Sequence, residues 1–168
     1  MKKILSLAVL LMACLGFAAC EGDDPDFDDP NYKGVYSYVV PCLQWNASID
    51  EVRSYMKGVK GWNSSSSQLG NYDLIFRQEK THNDIIYTFH SGKLTHVTVT
   101  WYCCQEEFDK MREEYARKMG FTWGEYQGDF YTQYRAVSHE LHCDISVHQS
   151  ELNGLRQMGI SFDYLEEE

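Results

Sequence analysis

The chain has 168 residues, a formal net charge of −10 and 43% hydrophobic residues. This length suffices for one domain with a single core. Between Gly34 and Leu165 there are twelve basic and sixteen acidic residues, so the composition excludes a strongly basic surface of the kind that binds nucleic acid. We therefore expect one domain over residues 34–168 that has no nucleic-acid partner.

The first nineteen residues have the pattern of a secretory signal peptide. Two lysines give a positive start, an apolar run follows from Ile4 to Met12, and small residues precede Cys20. The apolar run is too short to span a bilayer comfortably. We predict that residues 1–19 are removed when the chain is exported.

The end of this segment, Phe17-Ala18-Ala19-Cys20, resembles the lipobox of bacterial lipoproteins. That resemblance implies cleavage before Cys20 and a membrane anchor of diacylglycerol on its thiol. Leu11-Met12-Ala13-Cys14 is a competing match, but cleavage there leaves an apolar stub, whereas cleavage before Cys20 exposes a polar segment. An ordinary secretory signal with an incidental cysteine is the other alternative.

Residues 20–33 form an acidic segment with six carboxylates between Glu21 and Asp29. It lacks the apolar side chains that would offset its ordering entropy, which predicts a flexible tether. The segment also resembles the acidic export signal of Bacteroidetes surface lipoproteins. That resemblance implies lipid-anchored display on the outer membrane, at the cell surface. A simple spacer on the periplasmic face is the alternative.

Two helices are predicted in the body of the chain. Ser48-Ile49-Asp50-Glu51 fits a capping box, and apolar residues recur at helical spacing from there to a stop at Gly58. A second helix is predicted over about 105–119, because an apolar stripe ends there at Gly120.

Alternation of apolar and polar residues predicts six strands. The clearest pair, Ile85–Phe89 and Val97–Trp101, flanks a turn with Gly92 in the left-handed conformation. The other four are expected at about Tyr72–Phe76, Phe130–Ala136, Leu141–Val147 and Ile160–Tyr164. We therefore expect an α+β fold, α-β-β-β repeated twice, with two helices on one face of a single antiparallel sheet and a wet opposite face.

Residues 41–52, Pro-Cys-Leu-Gln-Trp-Asn-Ala-Ser-Ile-Asp-Glu-Val, resemble the motif P-x-L-x-W-G-x-S-x-x-E-V of uncharacterised lipoproteins from gut Bacteroidetes, with Asn46 in place of glycine. Residues 87–94 match the hairpin that follows in that family, and the match extends to about Trp101. More distantly, the cap, helix and hairpin resemble units of the outer-membrane assembly lipoprotein BamE and of β-lactamase-inhibitory proteins. These resemblances imply a binding scaffold rather than a catalyst and identify no site residue.

The expected wet face carries the candidate binding residues. Alternate residues of a strand share one face, so His142, Asp144 and His148 are expected to project together from one strand. A neighbouring strand is expected to add His96 to the same surface. The set is His96, His142, Asp144 and His148, and Thr98, Ser161 and Asp163 are expected on the same surface. Imidazoles and a carboxylate bind a divalent metal or a polar ligand. Alternatively, these are only the polar side chains that a half-covered sheet presents to water.

Other motifs give no catalytic or metal site. His139-Glu140-Leu141-His142 has its histidines three apart in a strand-like segment, whereas a zinc protease needs them four apart on a helix. No C-x-x-C pair is present for structural zinc. Cys104 lacks the loop signature of a thiol nucleophile. We expect no catalytic residue, no metal and no cofactor.

Four cysteines follow Cys20 in a compartment where disulfides persist, namely Cys42, Cys103, Cys104 and Cys143. A bond between the adjacent pair would be strained, because neighbouring strand residues point to opposite faces. We expect at least one disulfide, with Cys42 favoured as one partner, and a stabilisation of about 3–5 kcal/mol from closing a long loop.

The function expected from these features is that of a non-enzymatic surface lipoprotein that binds a protein or glycan. Its ligand surface is expected on the wet sheet face, on the serine-rich loop Gly61–Gly70, or on an aromatic platform. The platform would include Trp45, Trp62, Trp123, Tyr131 and Tyr134, although filling of the core is the alternative use of these side chains. One alternative is a periplasm-facing accessory subunit of an envelope complex, as the BamE resemblance implies. Another is a metal-dependent hydrolase that uses the His/Asp face.

Overall fold

A computed structural model describes residues 38–65, 73–78, 81, 83–127, 132–152 and 155–166. The predicted signal peptide, Cys20 and the acidic tether lie outside the described residues. In the part that is described, no helix is long and apolar enough to cross a membrane.

The two predicted helices are confirmed. Helix α1 spans Ile49–Met56, and helix α2 spans Gln105–Met119. At the start of α1, the Ser48 amide donates to the Glu51 carboxylate at 2.8 Å and the Glu51 amide donates to Ser48 Oγ at 3.4 Å, which is the predicted capping box. Helix α2 ends at Gly120, whose φ of 75° is the left-handed conformation of a helix stop.

The sheet has eight strands rather than the six expected. They are β1 Trp62–Ser64, β2 Asp73–Gln78, β3 Asp84–His90, β4 Lys93–Tyr102, β5 Gly124–Gln127, β6 Thr132–Ser138, β7 Cys143–Leu152 and β8 Leu155–Tyr164. The two strands that the sequence analysis missed, β1 and β5, have three and four residues, too few for alternation to be recognised. Each helix is thus followed by four strands instead of three.

The strands form one open antiparallel sheet in the order β1-β2-β3-β4-β8-β7-β6-β5. This confirms the α+β class and the single antiparallel sheet. The last strand of the chain, β8, lies in the middle, between β4 and β7. Gly92, with φ of 77°, forms the predicted left-handed turn between β3 and β4.

The core lies against one face of this sheet. The predicted apolar residues of the β3–β4 hairpin are all buried, from Ile85 to Trp101. The Tyr87 hydroxyl accepts from the Cys42 amide at 3.0 Å and donates to Sδ of Met56 in α1 at 3.1 Å. These contacts attach α1 and the segment before it to β3.

The segment before α1 is also joined directly to the hairpin. The Asn46 amide donates to the Leu94 carbonyl at 3.1 Å, and the Leu94 amide donates to the Ala47 carbonyl at 2.9 Å. Asn46 has a φ of 64°, a conformation that glycine adopts freely and asparagine tolerates better than most residues. Backbone geometry therefore accounts for asparagine at a position where the similar motif has glycine.

The opposite face is not simply wet. Thr98, Thr100 and Ser161 are 9%, 3% and 8% exposed, so the expectation of a solvated face is wrong at its centre. These side chains are small and lie on the central strands β4 and β8. Longer side chains lie opposite them on the neighbouring strands, as Ile86 does opposite Thr98. The polar face therefore has a buried floor of hydroxyl groups.

Candidate functional site on the polar sheet face

Five side chains on the polar face form one continuous hydrogen-bonded chain, which we call the polar relay. Its members in order are Asp163, His96, Thr98, Ser161 and His148. Asp163 Oδ1 lies 2.6 Å from His96 Nδ1, and His96 Nε2 lies 2.7 Å from Thr98 Oγ1. Thr98 Oγ1 lies 3.0 Å from Ser161 Oγ, which lies 3.3 Å from His148 Nδ1. The relay thus connects a carboxylate to a second imidazole through two hydroxyls.

Strand register explains why these residues meet. His96 lies opposite Asp163 and Thr98 lies opposite Ser161 across the β4–β8 pair. His148 lies opposite Gly159 across the β7–β8 pair. Gly159 precedes Ser161 by two residues, so positions 159 and 161 are on the same face of β8. Cross-strand neighbours on one face are close enough for side chains to interact, so three antiparallel strands bring the five side chains together.

Gly159 is what lets His148 reach the relay. A Cβ built at position 159 would collide with Cε1 and Nε2 of the His148 ring and would lie 3.0 Å from the Val99 carbonyl oxygen. The imidazole therefore occupies the space that a side chain at 159 would fill. A glycine inside a strand is a known sign of such a close approach, and the sequence analysis did not use it.

The predicted candidate residues have different positions in the structure. His96 and His148 belong to the relay. Asp144 lies on β7 opposite Asp163, and its carboxylate is 3.7 Å from the Arg135 guanidinium. His142 contradicts the prediction: it is exposed in the turn before β7, with φ of 51°, because the strand begins only at Cys143.

Three members of the relay follow the order of a catalytic triad, but the backbone around them differs from that of a triad enzyme. Carboxylate, imidazole and hydroxyl follow one another in Asp163, His96 and Thr98. However, β4 and β8 are paired on both sides, so their backbone amides are engaged in ladders instead of forming an oxyanion hole. No group of three His, Cys, Asp or Glu side chains within the described ranges is placed to hold a metal ion.

The hydroxyls of the buried floor predict opposite effects of two substitutions. Thr100 Oγ1 is buried and makes no hydrogen bond to the described residues, whereas Thr98 Oγ1 makes two. We expect Thr100→Val to stabilise the fold by about 1 kcal/mol and Thr98→Val to destabilise it by about 1–3 kcal/mol, since unsatisfied buried hydroxyls are costly. Urea unfolding of both variants measures this. Shifts of the two midpoints in the same direction would contradict the relay geometry.

The pKa of His148 is lowered, first by burial and then by the charge of nearby His96. Its folded pKa therefore lies below the unfolded value of about 6.5. At pH values above about 6.5, His148 is neutral in both the folded and the unfolded state. As the pH falls from there towards the folded pKa, the unfolded state binds the proton first. Stability should therefore decrease with acidification in this window. Urea unfolding between neutral and mildly acidic pH measures the slope, and His148→Gln should show a smaller one. An equal slope in that variant would assign the effect to other groups.

Two grooves, each of about 490 Å³, lie where a helix ends and the next strand begins. The basic groove, after α1, is lined by residues that include Arg53, Lys57, Val59, Lys60, Trp62 and Phe76. The aromatic groove, after α2, is lined by residues that include Arg112, Arg117, Phe121, Trp123 and Tyr134. The members of the expected aromatic platform have different positions: Trp62 lines the basic groove, and Trp123 and Tyr134 line the aromatic groove. Trp45 packs against Tyr164 at 5.6 Å between ring centroids, and Tyr131 lies outside the described residues.

The aromatic groove has fixed side chains. The indole of Trp123 donates to the Arg112 carbonyl at 3.0 Å and packs edge-on against Phe121 at 4.9 Å. The Arg112 guanidinium lies 3.7 Å from the ring centroid of Tyr134. These contacts orient the rings against α2 and β6.

Neither a family model, nor a curated protein, nor a solved structure matches this chain. The resemblances noted at residues 41–52 and 87–94 thus rest on sequence pattern. Function has to be argued from the geometry of the polar face and the grooves.

The cysteines are thiols in this structure. Cys42, Cys103, Cys104 and Cys143 are all free, so the expected disulfide is not formed among them. Burial raises the pKa of Cys103 and of Cys143 to about 12, and it also raises the pKa of Cys42. Thiolates are the reactive form, so these three buried thiols are chemically inert at neutral pH.

Proposed function

We propose that this chain is a lipid-anchored, non-enzymatic binding module that presents its polar sheet face to a protein or glycan. The observation that supports this best is the polar relay. Its donors and acceptors are held by one another on three paired strands, so they need little ordering when a ligand arrives. A preorganised polar surface of this kind favours recognition of hydroxyl, amide or carboxyl groups.

One end of the relay, formed by Asp163 and His96, is the part that a ligand can reach. The side chain of His96 is 32% exposed and that of Asp163 is 54% exposed, whereas Thr98 and Ser161, the next two members of the relay, are buried. We propose that His96 and Asp163 contact the ligand directly. Thr98, Ser161 and His148 position the His96 ring from behind.

We propose delivery to the outer membrane by lipid on Cys20, with the acidic tether of residues 20–33 carrying the domain to the cell surface. The support is the signal-like segment and the six carboxylates that follow it. Retention on the periplasmic face, as an accessory subunit of an envelope complex, is the alternative. Protease treatment of intact cells separates the two, because only a surface protein is degraded.

We also infer that both helices cover the same face of the sheet and that the two halves are equivalent α+β units. Tyr87 of β3 contacts Met56 of α1. On the paired strand β4, Trp101 lies 5.7 Å from Tyr115 of α2, measured between ring centroids. Tyr87 lies opposite Val97, which has the same parity as Trp101, so both contacts are made from one face.

The binding proposal is tested by screening the protein on a glycan array and against extracts of cell-surface proteins. Asp163→Asn keeps the size of the side chain but removes its charge from the relay, and we expect it to weaken binding of any ligand found. Glu140→Gln, in the exposed turn before β7, is the matched control. Ligand binding that is unchanged in Asp163→Asn would place the site elsewhere.

The anchor is tested by Cys20→Ala. We expect this change to abolish incorporation of labelled fatty acid and to release the protein from membranes, because no other atom takes the diacylglycerol. Cys14→Ala, at the competing site, should leave both properties unchanged. Continued labelling of the Cys20→Ala variant would identify Cys14 as the acceptor and would remove the support for the tether.

A further inference from the structure

The basic groove contains two lysines whose charge is not compensated. Lys57 and Lys60 are exposed, and neither side chain has an ion pair within the described part of the chain. Arg53, the third cation of this groove, pairs only with Asp50 on its own helix, at 3.3 Å. Acidic residues outnumber basic ones in the domain, yet the lining of this groove includes two lysines that have no ion pair among the described residues.

The aromatic groove occupies the corresponding position in the second half of the chain, after α2. Its cations are all paired: Arg112 lies 3.1 Å from Glu113, and Arg117 lies 4.0 Å from Glu114. Lys118, nearby on α2, lies 2.6 Å from the same Glu114. The two grooves, of similar volume and position, therefore differ in charge: among the described residues the cations of the aromatic groove are paired, whereas the two lysines of the basic groove have no ion pair.

Stabilisation of helix α1 does not account for both lysines. A cation in the last turn or at the C-cap favours the negative end of the helix dipole, and Lys57 is the C-cap. Lys60 lies three residues further on, beyond the helix, where that interaction has faded. Within the described residues, the helix dipole thus accounts for Lys57 but not for Lys60.

We propose that the basic groove binds a small organic anion with an apolar body. The charged group would lie between Lys57 and Lys60, and the apolar body would enter the recess against Val59 and the edges of Trp62 and Phe76. The groove volume of about 490 Å³ is within the usual range for small-molecule sites. Lysines supply point charges that hold a carboxylate or sulfonate without demanding a fixed geometry.

The recess favours a free molecule over a membrane surface. Trp62 and Phe76 are only 7% and 6% exposed, so they form the floor of the groove and do not project from it. A flat bilayer meets the lysines but not these rings, whereas a single molecule that enters the groove meets both. We therefore assign the site to a soluble amphiphilic anion.

The test uses two fluorescent probes with the same apolar body. Anilinonaphthalene sulfonate carries a negative charge, and N-phenyl-1-naphthylamine is its neutral analogue. Both are titrated into residues 20–168 carrying Cys20→Ala, so that neither the apolar segment of residues 4–12 nor the lipid competes for the probes. We expect Lys57→Gln/Lys60→Gln to weaken binding of the sulfonate by about tenfold, or 1.4 kcal/mol, and to change binding of the neutral probe by less than about twofold.

Matched variants show whether the effect is local. Lys93→Gln removes another lysine without an ion pair in the described region, at the β3–β4 turn, and Arg117→Gln removes a paired cation of the aromatic groove. Both should bind the sulfonate like the parent. Equal weakening by either control, an equal loss for the neutral probe, or no effect of the double variant would overturn the proposal. Binding to anionic phospholipid vesicles that depends equally on Lys57 and Lys60 would also overturn it, in favour of a membrane contact.

Discussion

Tyr115→Ala is expected to lower the free energy of unfolding by about 3–5 kcal/mol, because it removes a fully buried aromatic ring from the centre of the core. The ring lies 5.7 Å from that of Trp101 and 6.3 Å from that of Phe162, measured between centroids. Its hydroxyl donates to the Val39 carbonyl at 2.5 Å. One side chain on α2 thus contacts β4, β8 and the segment before α1.

The conservative variant separates packing from hydrogen bonding. Tyr115→Phe keeps the ring and loses the hydrogen bond from the hydroxyl to the Val39 carbonyl. We expect a cost of about 1 kcal/mol, or up to about 3 kcal/mol if that carbonyl stays unsatisfied. Urea unfolding of both variants, followed by tryptophan fluorescence, gives the two values. A loss in Tyr115→Phe as large as that in Tyr115→Ala would mean that the ring contacts contribute little.

Gly159→Ala is expected to destabilise the fold by about 1–3 kcal/mol, the usual cost of overpacking. The added methyl group would collide with the His148 ring and crowd the Val99 carbonyl oxygen. The His148 ring has to move away to relieve the collision. This movement breaks the 3.3 Å contact between His148 Nδ1 and Ser161 Oγ and removes His148 from the relay. In most strand positions the same change helps, because glycine has the greater conformational entropy to lose.

The cause of that loss is tested with a double-mutant cycle. If the His148 ring is the obstacle, His148→Ala should remove most of the penalty of Gly159→Ala, and the two changes should be strongly non-additive. Unfolding in urea provides the four free energies that the cycle needs. Additive losses would instead point to the backbone contact with Val99 as the origin of the strain.

Local signals in the sequence were enough to predict both helices and the central hairpin. Capping by Ser48, the helix stop at Gly120 and the turn at Gly92 each depend on a few neighbouring residues, and all three are present. Strands β1 and β5 were not predicted because they are too short to show an alternating pattern. Each is recognised as a strand only by its pairing with a neighbour, β1 with β2 and β5 with β6. Their existence depends on contacts that no short window of sequence contains.

The candidate site was predictable in part. Strand alternation brought His96 and His148 to the same surface, and the structure joins them. His142 was misplaced because alternation alone does not show where a turn gives way to a strand, and its positive φ is set by the tertiary structure. The bonds between relay members depend on register across β4, β8 and β7, which requires the strand order to be known.

The position of β8 bears on how the protein folds as it is made. Val97 pairs with Phe162, and Cys143 pairs with Tyr164, so the final stretch of chain joins segments that were synthesised long before it. Until that stretch is available, β4 lacks a neighbour on one side and the two groups of strands have no connection through the sheet. Pairing over such sequence separations is slow. The sheet of a nascent chain therefore stays incomplete until β8 has emerged from the ribosome.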